Sequence, residues 1–167
     1  KGMVQDISLP AACKDLTLLQ TRIMSFEMAR ALVFARARYR KKLRPQLLQQ
    51  LSEGAQIPYE QYQKDLMKAQ AARFAIAQLF ENEVDILIAP SAPGEAPLAK
   101  EGTGNPVFCR GWTLSGLPCI NLNVSSGPNG LPVGVQLIAG PGKDRFLLSA
   151  ARAFAQALPD PVLRDQA

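Results

Sequence analysis

The sequence predicts an α/β fold, a mixed β-sheet flanked by helices, with the N-terminal half helical. Three observations predict it. Apolar residues recur every three or four positions through residues 15–82, the spacing of buried helical stripes. From Val84 the pattern changes to short β-branched and alternating runs separated by proline and glycine. A final pattern of threes and fours returns between Asp144 and Leu158.

Asp15 is placed to cap the first helix, along which Leu16, Leu19, Ile23, Phe26, Ala29 and Val33 form one stripe. Pro45 suits the first position of a second helix, with Leu47, Leu48 and Leu51 apolar and Gly54 as its stop. Pro58 opens a third, with Tyr62, Leu66, Ala69, Ala72, Ile76, Leu79 and Phe80 on one face. Val84 to Ala89, closed by Pro90, has the composition of a buried strand. Residues 90–106 carry Pro90, Pro93, Pro97 and Pro106 with Gly94, Gly102 and Gly104. They predict a long loop without regular structure, of the kind that carries function or moves. Ile120, Leu122 and Val124 then alternate with Asn121, Asn123 and Ser125, the period of a strand. Pro128-Asn129-Gly130 is a turn signal, and Leu131 to Ala139 returns, which makes a hairpin. Asp144 can cap the last helix, with Phe146, Leu147, Ala150, Ala151, Phe154 and Leu158 apolar and Pro159 ending it.

A length of 167 residues suits one domain, and 47% apolar with 20% charged residues excludes a disordered tail or a fibre. The longest apolar runs are about half a dozen residues, against roughly 20 for a bilayer span, so no membrane crossing is expected. No basic segment leads into an apolar one as in a secretory leader. There is no histidine, which removes Ser-His-Asp and Cys-His machinery and any His-ligated metal. Cys13, Cys109 and Cys119 lack the spacing of a zinc site. They read as free buried thiols in a reducing compartment, the cytoplasm. No metal and no cofactor is expected.

The charge is uneven. Residues 1–50 hold ten Lys/Arg against three Asp/Glu, and the remainder nine against eleven, so the first part carries the whole excess behind the net +5. It peaks at Arg36, Arg38, Arg40, Lys41, Lys42 and Arg44. Clustered cations attract phosphate. A solvated face and last turn of an amphipathic helix is the reading preferred to RNA, because Tyr39 is the only aromatic interleaved there.

Gly102-Thr103-Gly104-Asn105 and Gly140-Pro141-Gly142-Lys143 lack the further glycine or Ser/Thr of nucleotide-binding loops and are read as turns. No Ser-x-x-Lys occurs, and Ser125-Ser126 is read as a hairpin end. Ser91 follows the first strand at the mouth of the long loop, where its hydroxyl could face a ligand or simply close the strand. By residue chemistry alone, no complete catalytic set is present.

Three ordered blocks resemble a known family. Asp85-Ile86-Leu87-Ile88-Ala89-Pro90-Ser91 resembles the "D-x-L-(apolar)-x-P-[ST]" strand of the amidase signature family. Phe108 to Pro118 resembles its "f-x-x-x-w-t-x-x-G-x-P" segment, and Gly130 to Gln136 its "G-L-P-x-G-x-Q" block. Pro45 to Gly54 and the Tyr59–Tyr62 helix fit its helical insert more loosely, so the likeness extends from about residue 20. That family cleaves or transfers carboxamides with a Ser–cis-Ser–Lys triad and no metal. Its nucleophile lies in a Gly/Ser-rich segment with the lysine earlier still, and neither is found here.

The resemblance therefore implies a single C-terminal fragment of an amidase domain, helical over about 15–82, with sheet and terminal helix over about 84–158. It implies no catalytic residue in this chain, and the opening Lys1-Gly2-Met3 is taken to follow a missing portion. Ser91, Cys109, Trp112 and Ser115 are the substrate-pocket candidates it implies, ordinary turn and core packing being their plainer role. Gly134 is expected to allow close backbone approach, Gly116-Leu117-Pro118 to set a turn, and Gln136 to satisfy buried backbone groups. The expected function is part of a hydrolase cleaving a carbon–nitrogen amide bond, inactive by itself. The alternative is an amidotransferase-like subunit, or an RNA- or protein-binding module using the basic half. Expected partners are a small amide and, through exposed sheet edges, further copies of the fragment.

Overall fold

The computed structural model describes residues 3–158. Helices α1 (Leu16–Ala31), α2 (Val33–Arg38), α3 (Pro45–Gln56) and α4 (Tyr59–Asn82) precede strand β1 (Ile86–Pro90). Helix α5 (Val107–Ser115), strands β2 (Cys119–Ser126) and β3 (Pro132–Ala139), and helix α6 (Asp144–Ala157) follow. The strands lie in the order β1-β3-β2. The α/β class, the helical first half and the helix-flanked sheet are as expected. Among the described residues every strand pairing is antiparallel.

The α1 stripe is buried at Leu16, Leu19, Ile23, Phe26 and Ala29, but Val33 is 55% exposed. The helix breaks at Leu32, whose ψ of 17° ends the α1 run before α2 begins at Val33. Asp15 stands at the N-cap position, yet its side chain makes no capping bond. Gly54 does not stop α3, which runs on to Gln56. It is buried against α1, where an added Cβ would overlap the Ser25 carbonyl, so glycine is there to let two helix backbones touch. On α4, Leu66 is exposed while its neighbour Asp65 is 0% exposed. Asp65 is buried because it is paired: Arg22 of α1 donates to it from Nε at 2.7 Å and Nη2 at 2.5 Å, and Gln61 Nε2 adds a third bond at 2.9 Å.

The main core joins α1, α4 and α5 to one face of the sheet through Leu16, Leu19, Ile23, Ala72, Ile76, Trp112 and Ile138. The opposite face packs Leu137 and Ala139 against Leu147 and Ala151 of α6. Central strand β3 is thus covered on both sides, its side chains alternating between two cores. β1 is not the buried strand expected: it is an edge, Ile88 is 48% exposed, and Pro90 ends it where a missing N–H costs least. The hairpin forms as expected, with the β2–β3 register slipping between Asn123 and Ser125. Phe146 and Phe154 of α6 remain partly exposed, because Leu147 and Ala151 take the line that meets this narrow sheet. Asp144 is the first residue of α6, where its carboxylate opposes the helix dipole. Pro159, expected to end that helix, lies outside the described residues.

Candidate functional site

The site forms where β1 ends, α5 begins and the hairpin passes beneath both. Helix α5 was not foreseen, although its punctuation is in the sequence. Asn105 Oδ1 accepts the Val107 N–H at 3.0 Å, and Gly116, with φ of +69°, closes the other end in the left-handed conformation. The Gly116-Leu117-Pro118 turn is thereby a helix stop leading into β2.

Ser91 continues the β1 ladder by donating its N–H to Gly134 O at 3.1 Å. Its hydroxyl donates to Asn121 Oδ1, reaching across β3 from the β1 side to β2. Only a glycine permits this. A Cβ at position 134 would lie 2.5 Å from Asn121 Oδ1 and 3.1 Å from Ser91 Oγ. Close approach at Gly134 was expected; that it is made by two side chains is new.

Next along β3, Gln136 is buried and its Nε2 donates to Pro90 O and to Phe108 O, both at 2.9 Å. One amide thus joins the end of β1 to the first turn of α5, as its expected role of satisfying backbone groups requires. Cys109, one residue further on, donates its thiol to Ser91 O at 3.5 Å. Ser91, Cys109, Asn121, Gly134 and Gln136 therefore meet on one side of the sheet. Trp112 and Ser115 do not join them at the surface. Trp112 packs into the core with Leu16 and Ile76, Ser115 is buried, and Trp112 Nε1 and Ser115 Oγ find no hydrogen-bond partner among the described residues.

The long loop is less free than its composition suggested. Ala96 N–H donates to Pro132 O at 2.8 Å, and the Glu95 carboxylate accepts the N–H groups of Asn129 at 3.1 Å and Leu131 at 3.2 Å together with the Asn129 side-chain amide. Glu95 therefore straps the loop to the hairpin turn. A short 3-10 turn at Ala99–Glu101 breaks its irregularity.

The thiols are free, as expected, but only Cys13 is buried; Cys109 and Cys119 are exposed. Burial pushes the Cys13 thiol up. Cys119 is pushed up to about 11, first by the protein packed around part of it and then by the charge of nearby Cys109.

Chemically this is a hydrogen-bonding wall. The Ser91 hydroxyl donates to Asn121, and no lysine hydrogen-bonds it among the described residues. Asn121 and Glu95 escaped the sequence reading. The signal for Asn121 was the polar row Asn121, Asn123, Ser125 on β2 opposite Gly134 and Gln136 on β3, which places polar groups from both hairpin strands on one face.

The sequence profile of the amidase family matches residues 6–148. The chain belongs to the amidase family. Among its relatives are glutamyl-tRNA(Gln) amidotransferase subunits A. That of Ralstonia nicotianae is 35% identical over 106 residues, 58% of this chain and 21% of the relative. That of Parvibaculum lavamentivorans is 38% identical over 106 residues, 58% and 22%. The mouse mitochondrial one is 31% identical over 120 residues, 64% and 23%. The chain thus spans about a fifth of the length of these relatives. A crystal structure of an amidase superposes with a TM-score of 0.81 at 23% identity, covering 92% of this chain and 37% of the other. The 6-aminohexanoate cyclic dimer hydrolase, solved with its substrate, gives 0.69 at 20% identity, covering 92% and 37%. These superpositions establish a shared fold for this amidase-family chain. Among its described residues, no helix is long and apolar enough to cross a membrane.

Proposed function

We propose that this chain is the C-terminal part of an amide-cleaving enzyme of the amidotransferase kind, and that it forms one wall of the carboxamide site. The 167 residues are a single piece of that domain, the helical part bracing the sheet that carries the wall. The reactive serine and its lysine partner lie on polypeptide outside these residues. In the whole enzyme the serine attacks the carboxamide carbon, ammonia leaves with the proton the lysine relays, and a nucleophile then takes the acyl group from the serine.

The observation that carries this reading is the Ser91–Asn121 hydroxyl–amide pair held over Gly134 with no base beside it. Such a pair offers a second amide its hydrogen-bonding edge but cannot itself open one. The relatives named as amidotransferase subunits favour that kind over a plain hydrolase, since the hydrolase superpositions speak only for the fold. Ser91 and Cys109 are the proposed wall residues at the surface, and Trp112 and Ser115 stand behind them in the core.

Ammonia release from glutamine, followed by coupled reduction of 2-oxoglutarate, tests the proposal. The 167-residue chain is expected to be inactive, and a polypeptide that adds the serine- and lysine-bearing segment to be active, with Asn121→Ala raising KM. Turnover by the purified chain alone, abolished by Ser91→Ala, would refute the reading. The outer edges of β1 and β2 are unpaired among the described residues, so the isolated chain is also expected to self-associate in light scattering.

A further inference from the structure

The break in α1 at Leu32 builds a surface that the amide site does not use. From Met28 to Ser52 the chain contains no carboxylate, while Arg36, Arg38, Arg40, Lys41, Lys42 and Arg44 follow one another through α2, a 3-10 turn at Arg40–Lys42 and the entry to α3. Among the described residues, the ion pairs are Arg22–Asp65 and Lys64–Glu60, so none of these six cations is neutralised. Arg36 leans on Leu51 O at 3.4 Å, and the other five are exposed.

Read along the sequence, Tyr39 is the only aromatic within the basic run. The fold adds a second. Phe34, 66% exposed, stands edge-on to Tyr39, 44% exposed, with ring centroids 6.2 Å apart, and Lys42 Nζ lies 5.8 Å from the Tyr39 ring. A core would have hidden two such rings. Here they are presented among unpaired cations.

We infer that this basic cap binds single-stranded RNA, its cations meeting phosphates and Phe34 and Tyr39 stacking on unpaired bases. Cations with exposed rings are the equipment for an unpaired strand, whereas a duplex hides its base faces and would leave the rings idle. An acidic lipid surface would also attract the charge, but α2 has only six residues and cannot lay a long apolar face into a bilayer. The surface carries this independently of any amide chemistry.

The test is fluorescence anisotropy of the 167-residue protein with a labelled 12-nucleotide oligouridylate and a perfectly paired RNA duplex, beside sedimentation with vesicles containing phosphatidylserine. About five phosphate contacts would weaken oligouridylate binding roughly 100-fold between 50 and 200 mM salt. Phe34→Ala with Tyr39→Ala should weaken oligouridylate binding about 10-fold and leave the duplex unchanged. Arg38→Glu with Lys41→Glu and Lys42→Glu should abolish both, with Trp112 fluorescence reporting an intact fold. Three results would each overturn the inference: no oligouridylate binding at low salt, binding that survives charge reversal, or vesicle binding without RNA binding. Equal losses for strand and duplex in the aromatic variant would also overturn it.

Discussion

Replacing Gln136 by leucine keeps the side chain's bulk and removes two hydrogen bonds at once. Its Nε2 donates at 2.9 Å to Pro90 O and at 2.9 Å to Phe108 O, and the residue is buried. At about 1 kcal/mol net for each bond, the substitution should cost about 2 kcal/mol, more if either carbonyl is cut off from water. With a urea m-value of roughly 2 kcal/mol/M, the midpoint falls by about 1 M. Trp112, the single tryptophan, is buried at the base of α5 and reports the transition by fluorescence. Gln136→Glu should be worse at neutral pH, because a carboxylate would face two carbonyl oxygens without a proton to share. Its protonated form can donate once, so the folded state raises its pKa. The stability of that variant is then greatest below the ordinary glutamate pKa of about 4.3 and is lost as pH rises through the folded value. A loss under roughly 0.5 kcal/mol for Gln136→Leu, or a pH-independent Gln136→Glu, would refute the clamp.

Arg22→Ala leaves the fully buried Asp65 with only Gln61 and should cost about 3 kcal/mol. Asp65→Asn should cost less, because the Arg22 side chain is 31% exposed and reaches water; equal losses in thermal melts would contradict this. Gly54→Ala should destabilise by about 1–3 kcal/mol by pushing α3 off the Ser25 carbonyl, despite alanine's better helix propensity, and a stabilised variant in the same melts would count against that packing. With its thiol pushed up to about 11, Cys119 should hold about one thiolate in a thousand at pH 8 and alkylate correspondingly slowly, accelerating tenfold per pH unit as judged by mass spectrometry with iodoacetamide. Because that pKa is raised on folding, its stabilising effect is present below about pH 9 and is lost towards pH 11, so the urea midpoint should fall across that window.

Much of the fold was legible because it is written locally. The stripe from Leu16 to Ala29, the α3 start at Pro45, the Asn129-Gly130 turn and the alternation along β2 all depend on neighbours within four residues, and each appears in the structure. Helix α5 is equally local, yet its nine residues between Pro106 and Pro118 are too few for a clear apolar stripe to mark them as a helix. Burial was harder to read. Leu66 and Asp65 are adjacent on α4, and hydrophobicity alone favours the wrong one; a guanidinium 43 residues away decides it.

The candidate site was half visible. Ser91 and Cys109 do converge, and Gln136 does serve backbone groups; the polar row on β2 marks the face of Asn121 but not its partner Ser91, and Glu95 carries no local signal of Asn129.

By itself, then, the sequence determined the family, most of the order of helices and strands apart from α5 and the break before α2, and the lack of histidine among these 167 residues, since these follow from residue types and short spacings. The tertiary structure alone decided that β1 is an edge, that Gly134 makes room for Ser91 to reach Asn121, and that Phe34 joins Tyr39 among the cations. Those contacts depend on strand register and on the helix break at Leu32, and a one-residue slip in pairing would send every side chain of the polar wall to the other face of the sheet.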